Sequence, residues 1–191
     1  MSIAAPTPIP FTAPTPVPAP APTPGQSDTA EESFIKAFRS HPGGVVVITG
    51  LTPDGRPVGF TATSLASLSA QPPRATFNIA QSASSWPAVA IGSRLAVHFL
   101  DETGQGLARR FATNTAERFV GDHWYTDDLG LPILRDAVTV LITRVSHQTL
   151  LDLNAMVVLD IELGRFQEND TPLLYHNRTF KTVAGQPDYI D

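Results

Sequence analysis

Not one cysteine occurs in the chain, so disulfides, thiolate metal ligands and a thiol nucleophile are excluded by inventory. Basic residues are also sparse: 13 Lys and Arg stand against 18 Asp and Glu, for a net charge of -5. Nowhere do they cluster, so the electrostatic footprint of a nucleic-acid-binding protein is missing. No apolar run approaches the length that crosses a bilayer, and the N-terminus has neither the basic start nor the apolar stretch of a secretion signal. These absences lead us to expect a cytoplasmic protein with no membrane and no nucleic acid among its partners.

Familiar catalytic signatures are missing as well. There is no Gly-x-Ser-x-Gly elbow, no Walker loop, no Rossmann glycine fingerprint and no His-Glu-x-x-His helix. The five histidines, His41, His98, His123, His147 and His176, lack the spacing of a ligand set, and no metal site is expected. His98, inside the apolar run LAVHFL, reads as a hydrogen-bonded core or barrel histidine. Asp127, Asp128 and Asp152 lie in polar surroundings where carboxylates are ordinarily solvated, which argues against a paired-carboxylate hydrolase.

What is present is a 191-residue chain with 42% hydrophobic residues, enough for one domain with a substantial core. Residues 1–27 form a Pro/Ala/Thr tract that cannot build such a core, and a disordered tail is expected there. The folded domain is expected over 28–191. Asp28 and Glu31 have capping-box spacing ahead of a helix whose Phe34, Ile35 and Phe38 share one face. VVVITGL (45–51), a Thr-Pro-Asp-Gly turn and PVGFTATS then read as a β-hairpin. RATFNIA (74–80) and RLAVHFL (94–100) predict further strands, with a short helix starting near Ser84 between them. A helix over 103–112 and an irregular aromatic segment follow. AVTVLITRVSH (137–147) and NAMVVLDIELGRF (154–166) predict two long neighbouring strands. Many strands with few and short helices argue for a mainly β protein, an antiparallel barrel.

Two features carry chemistry. The stretch PVGFTATSLASLS (57–69) alternates like a strand yet holds Thr61, Thr63, Ser64, Ser67 and Ser69. Downstream, QSASSWPAV places Ser84 and Ser85 where a helix would begin, and amide groups at a helix start with hydroxyls beside them favour an anion. Capping alone explains the two serines well enough, and taken singly they favour that reading. If both features meet on one barrel face, they suit a flat, phosphorylated heterocycle.

The order SHPGGVVVITG, GRPVGFTATSLASLSAQPP, FNIAQSASSWPAVA, LARRFA, ERF, GLPIL and PLLYHNRTF resembles the FMN-binding split-barrel flavin reductases, the small partners of two-component flavin monooxygenases. The resemblance runs over about residues 33–181. It implies an antiparallel split β-barrel of Greek-key type with a few flanking helices, a homodimer, and hydride transfer from NADH or NADPH to FMN or FAD for a monooxygenase partner. It also implies that Thr61, Ala62, Thr63, Ser64, Ser67 and Leu68 hold the flavin ring edge and ribityl chain, and that Ser84 and Ser85 take its phosphate. Phe111 corresponds to a position near the flavin, although core packing accounts for it. His41, Asn154, His176 and Arg178 fall on the nicotinamide side. Asn154 stands where similar proteins carry the histidine of a Gly-Asp-His sequence, and an amide cannot take that residue's positive charge. A flavin-binding barrel without efficient reductase activity, and a non-redox ligand-binding barrel, are the alternatives.

Overall fold

A computed structural model describes residues 28–167 and 171–183. The expected tail over 1–27 lies outside the described residues. Helix α1 (Ala30–Ser40) leads into β1 (Gly43–Gly44), β2 (Val46–Leu51), β3 (Pro57–Ala62), β4 (Ala66–Ala70) and β5 (Pro73–Ala80). Then come β6 (Arg94–Phe99), α2 (Gln105–Ala112), β7 (Trp124–Thr126) and β8 (Pro132–Leu134). The long strands β9 (Thr139–Leu151) and β10 (Asn154–Phe166) precede a closing hairpin, β11 (Leu173–His176) and β12 (Thr179–Thr182).

Seven strands form one antiparallel sheet in the order β3-β2-β6-β9-β10-β5-β4. Its edge strands, β3 and β4, follow one another in the chain but do not pair, so the barrel stays split between them. The apolar alternation explains the layering. Val46, Ile48, Leu95, Val97, Phe77, Val157 and Leu159 face one core, while Val45, Val47, Ala96, Val140 and Ile142 face another that packs on Phe111, Ile133 and Leu173. The run VVVI is continuous because its strand is covered on both sides. Wholly buried Phe77 alone is worth roughly 1.5–3 kcal/mol of removed apolar surface.

Several sequence expectations change in detail. The α1 cap is Thr29 with Glu32, a complete capping box one residue later than Asp28 and Glu31. Asp28 instead pairs with Lys36. The strand expected through 57–64 ends at Ala62, because β2 offers no partner beyond Val46. The chain bends at 63–65 and restarts as β4, so the hydroxyl-rich stretch spans two edge strands and the split between them. No regular helix begins near Ser84; a single 3-10 turn, Trp86–Ala88, occupies that place, and Ser85 makes no cap hydrogen bond. The β11–β12 hairpin escaped the sequence reading because it is short and its turn lacks glycine.

Candidate functional site

Two grooves flank the split. The first, about 670 Å³, lies between α1 and the bend, and its lining includes His41, Gly43, Thr63, Ser64, Asn78 and Arg178. The second, about 640 Å³, runs from the bend toward α2 along Thr61, Thr63, Arg109, Thr113 and Phe180. Thr63, Tyr175 and Arg178 line both. The closing hairpin supplies the last two, and it is held on the barrel by the Val45 N–H to Leu173 carbonyl bond of 2.9 Å. Gly43 matters for this closeness. A Cβ there would stand 3.1 Å from the Thr63 carbonyl oxygen and 3.3 Å from the Thr63 Cβ.

The hydroxyls divide by their partners. Thr61 Oγ1 donates to the Ala108 carbonyl at 2.6 Å, fixing α2 to β3. Ser64 Oγ accepts from the Asn78 N–H at 3.0 Å and donates to its carbonyl at 3.3 Å, bridging the split. Ala62 is buried, so only its backbone is available to a ligand. Thr63 is exposed at the bend. Ser67 faces a smaller cleft with Val97 and Leu159, and Leu68 is 55% exposed; neither lines the two grooves.

Ser85 is buried, and its hydroxyl donates to the Gly59 carbonyl at 3.2 Å. Ser84 Oγ accepts from Arg118 Nη1 at 3.3 Å. Arg118 also donates to the carbonyls of Gly59 (2.7 Å) and Thr113 (2.9 Å). Its Nε is buried without a partner, and partial burial lowers its pKa from the ordinary guanidinium value. Arg118 makes no ion pair with a carboxylate among the described residues. Neither Arg118 nor Ser84 lines the two grooves, but the guanidinium has no carboxylate partner, lies beside the Ser84 hydroxyl and is tied to the carbonyl of groove-lining Thr113, and a positive charge so placed suits a phosphate. Sequence reasoning missed Arg118; the signal was its place in the quoted ERF.

Of the nicotinamide-side residues, His41 caps α1 through its backbone and Arg178 lies at the junction of the grooves. His176 lines neither; its carbonyl accepts from Thr179 Oγ1 at 2.9 Å. Asn154 begins β10 opposite Ala80, while Asn78 on the groove wall is opposite Met156. Asn154 therefore shares that face of the sheet and stands roughly 7 Å past the groove lining along the strand. Phe111 is fully buried, in edge contact with Phe119 at 5.2 Å, so it is core. His98 is fully buried too. Its Nδ1 donates to the Val47 carbonyl at 3.0 Å, and its Nε2 accepts from the Leu134 N–H at 3.1 Å.

An open antiparallel barrel whose grooves offer hydrogen-bond donors and aromatic faces, with a cationic guanidinium beside them and no nucleophile–base pair among the described residues, suits a phosphorylated aromatic ligand that brings its own chemistry. The chain belongs to the flavin reductase like domain family, whose sequence profile matches residues 38–184. It is 36% identical over 157 residues to an NADH:FMN oxidoreductase of Rhodococcus erythropolis, covering 78% of this chain and 81% of that protein. The reductase subunit HsaB of a flavin-dependent monooxygenase from Mycobacterium tuberculosis is 33% identical over 110 residues, 56% of this chain and 58% of that protein. Among solved structures, a flavin reductase domain protein from Arthrobacter sp. FB24 superposes with a TM-score of 0.77 at 44% identity, over 84% of this chain and 99% of that one.

Proposed function

We propose that the chain is an NAD(P)H-dependent flavin reductase that supplies reduced FMN or FAD to a monooxygenase. The observation that carries this reading is the meeting of two grooves at Thr63, Tyr175 and Arg178. One groove would serve a flavin and the other a pyridine nucleotide. A bound flavin would supply the two-electron chemistry, with reduced nicotinamide as the hydride donor.

The chain's own groups bind, orient and exclude water. Backbone donors at 62–64 and the Thr63 hydroxyl hold the ring edge and ribityl chain, where donors favour the negative charge of a reduced ring; the Thr61 hydroxyl, which donates to the Ala108 carbonyl, can only accept from the ligand. Ser84 and Arg118 take the phosphate. Ser85, engaged with Gly59, shapes this receptor from behind rather than meeting the ligand. Asn154, past the groove rim, offers an amide that can donate to and accept from a carboxamide but cannot carry charge at neutral pH.

The protein acts as a homodimer. Leu150, Leu151 and Leu153 gather at the β9–β10 turn and are 58–80% exposed, and an apolar surface of this kind supports a contact between two copies of the chain. No helix of the described residues is long and apolar enough to cross a membrane, and we place the protein in the cytoplasm, where reduced pyridine nucleotide is regenerated. The test is a fluorescence titration with FMN followed by nicotinamide oxidation with FMN or FAD added. Flavin-dependent oxidation is expected. Demonstrated flavin binding with no oxidation at saturating NADH or NADPH would overturn the assignment.

A further inference from the structure

Two arginines line the first groove, and no carboxylate accompanies them. Arg39 belongs to the last turn of α1, and Arg178 to the turn between β11 and β12. The Asn177 N–H donates to the Arg39 carbonyl at 2.9 Å, tying that turn to the helix end. No Asp or Glu occurs among the described lining residues; Arg39, His41 and Arg178 are its basic groups. Neither arginine side chain makes an ion pair or hydrogen bond with another described residue.

Arg178 is held there against backbone preference. Asn177 and Arg178 have φ of 49° and 61°, the pairing of a two-residue hairpin turn whose second position suits glycine. Asn tolerates that conformation; a long side chain is the departure. Such an outlier, with its side chain at the junction of two grooves, points to a ligand contact. Aromatic rings complete the wall. Phe34 and Phe38, 4.6 Å apart with their rings tilted by 35°, sit on the helix that carries Arg39, each 62% exposed, and Tyr175 lies on the same groove.

A purine stacked on α1 would bring its ribose 2′ position to the end of the helix, beside Arg39. Sites selective for a free 2′-hydroxyl place a carboxylate there, and sites that accept a 2′-phosphate place arginine. We propose that Arg39 and Arg178 form a receptor for the 2′-phosphate of the nicotinamide dinucleotide, so that the chain prefers NADPH to NADH. This rests on the reductase reading and names its hydride donor.

The experiment is calorimetric titration of the full chain with NADP+ and with NAD+, alongside NADPH and NADH oxidation with FMN. NADP+ is expected to bind about tenfold tighter or more than NAD+, the scale of one charge-assisted pair of hydrogen bonds. In Arg39→Gln the ratio of the two affinities falls toward one. Arg178→Gly relieves the turn, so it folds, and it also loses NADP+ affinity by about tenfold. Equal binding of the two nucleotides, or equal weakening of both in Arg39→Gln as a pyrophosphate contact would give, overturns the inference. NADH oxidation with FMN that proceeds under either of those results leaves the reductase reading intact; absence of oxidation with both nucleotides removes that reading instead.

Discussion

His98 offers the sharpest quantitative test of the fold. Its imidazole is wholly enclosed between β2 and β8, and burial is the larger cause that moves its pKa from 6.5 down to about 4, against the opposing bond to the Val47 carbonyl. The ring is neutral, with the proton on Nδ1 for Val47 and a lone pair on Nε2 for the Leu134 N–H. In the unfolded chain the same histidine titrates near its ordinary value. Below pH 6.5 the unfolded state therefore binds the proton first, and stability falls as pH drops toward 4. The loss from this group is ~2 kcal/mol by pH 5 and ~3 kcal/mol by pH 4, from about 1.4 kcal/mol per pKa unit. That is a large share of the ~5–15 kcal/mol that holds a domain of this kind folded. Asp160 and Glu162, lowered chiefly by hydrogen bonds from Arg74 and Arg94, lose their stabilising contributions only at lower pH. Urea unfolding from pH 8 to 4.5 should then show an acid slope that His98→Asn largely removes. At pH 7.5 the variant is less stable by about 1–3 kcal/mol, because Asn can still reach Val47 while the buried Leu134 N–H loses its acceptor. An unchanged slope between pH 6.5 and 4.5 in the variant would refute the neutral, doubly bonded histidine.

Arg118→Gln should weaken FMN binding at least about tenfold while leaving riboflavin, which lacks the phosphate, bound as before; the two fluorescence titrations separate charge from packing. Gly59→Ala should lower stability by about 1–3 kcal/mol, read as a fall in Tm, because its Cβ would stand 3.0 Å from the Ile48 carbonyl and 2.9 Å from Phe111 Cε1. The same change should lower FMN affinity, since the Gly59 carbonyl holds both Arg118 and Ser85. Unsubstituted protein should sediment as a dimer in analytical ultracentrifugation and Leu68→Glu, at a position 55% exposed in one chain, as a monomer without loss of strand signal in circular dichroism. Asn154→His should raise kcat for nicotinamide oxidation; an unchanged kcat would place position 154 outside the reach of the nicotinamide.

The sequence determined the β architecture, because alternation and β-branched runs depend on local spacing alone. Strand β10 begins and ends where NAMVVLDIELGRF does, the buried role of His98 follows from the apolar run around it, and Phe111 shares a helix face with Ala108 three residues earlier. Quoted motifs likewise marked the family and the hydroxyls of 61–64. Tertiary structure decided which of those groups line the grooves. PVGFTATSLASLS carries one alternating pattern, but strand pairing ends at Ala62, and the break turns a single strand into the rim of a split. Ser84 and Ser85 look equivalent in sequence; a 3-10 turn buries one against Gly59 and leaves the other to Arg118, 34 residues away. The convergence of Arg39, Thr63 and Arg178 has no sequence signal at all. It arises because the closing hairpin packs back on β1 and α1, and contacts between distant segments are fixed by that packing, not by any local period.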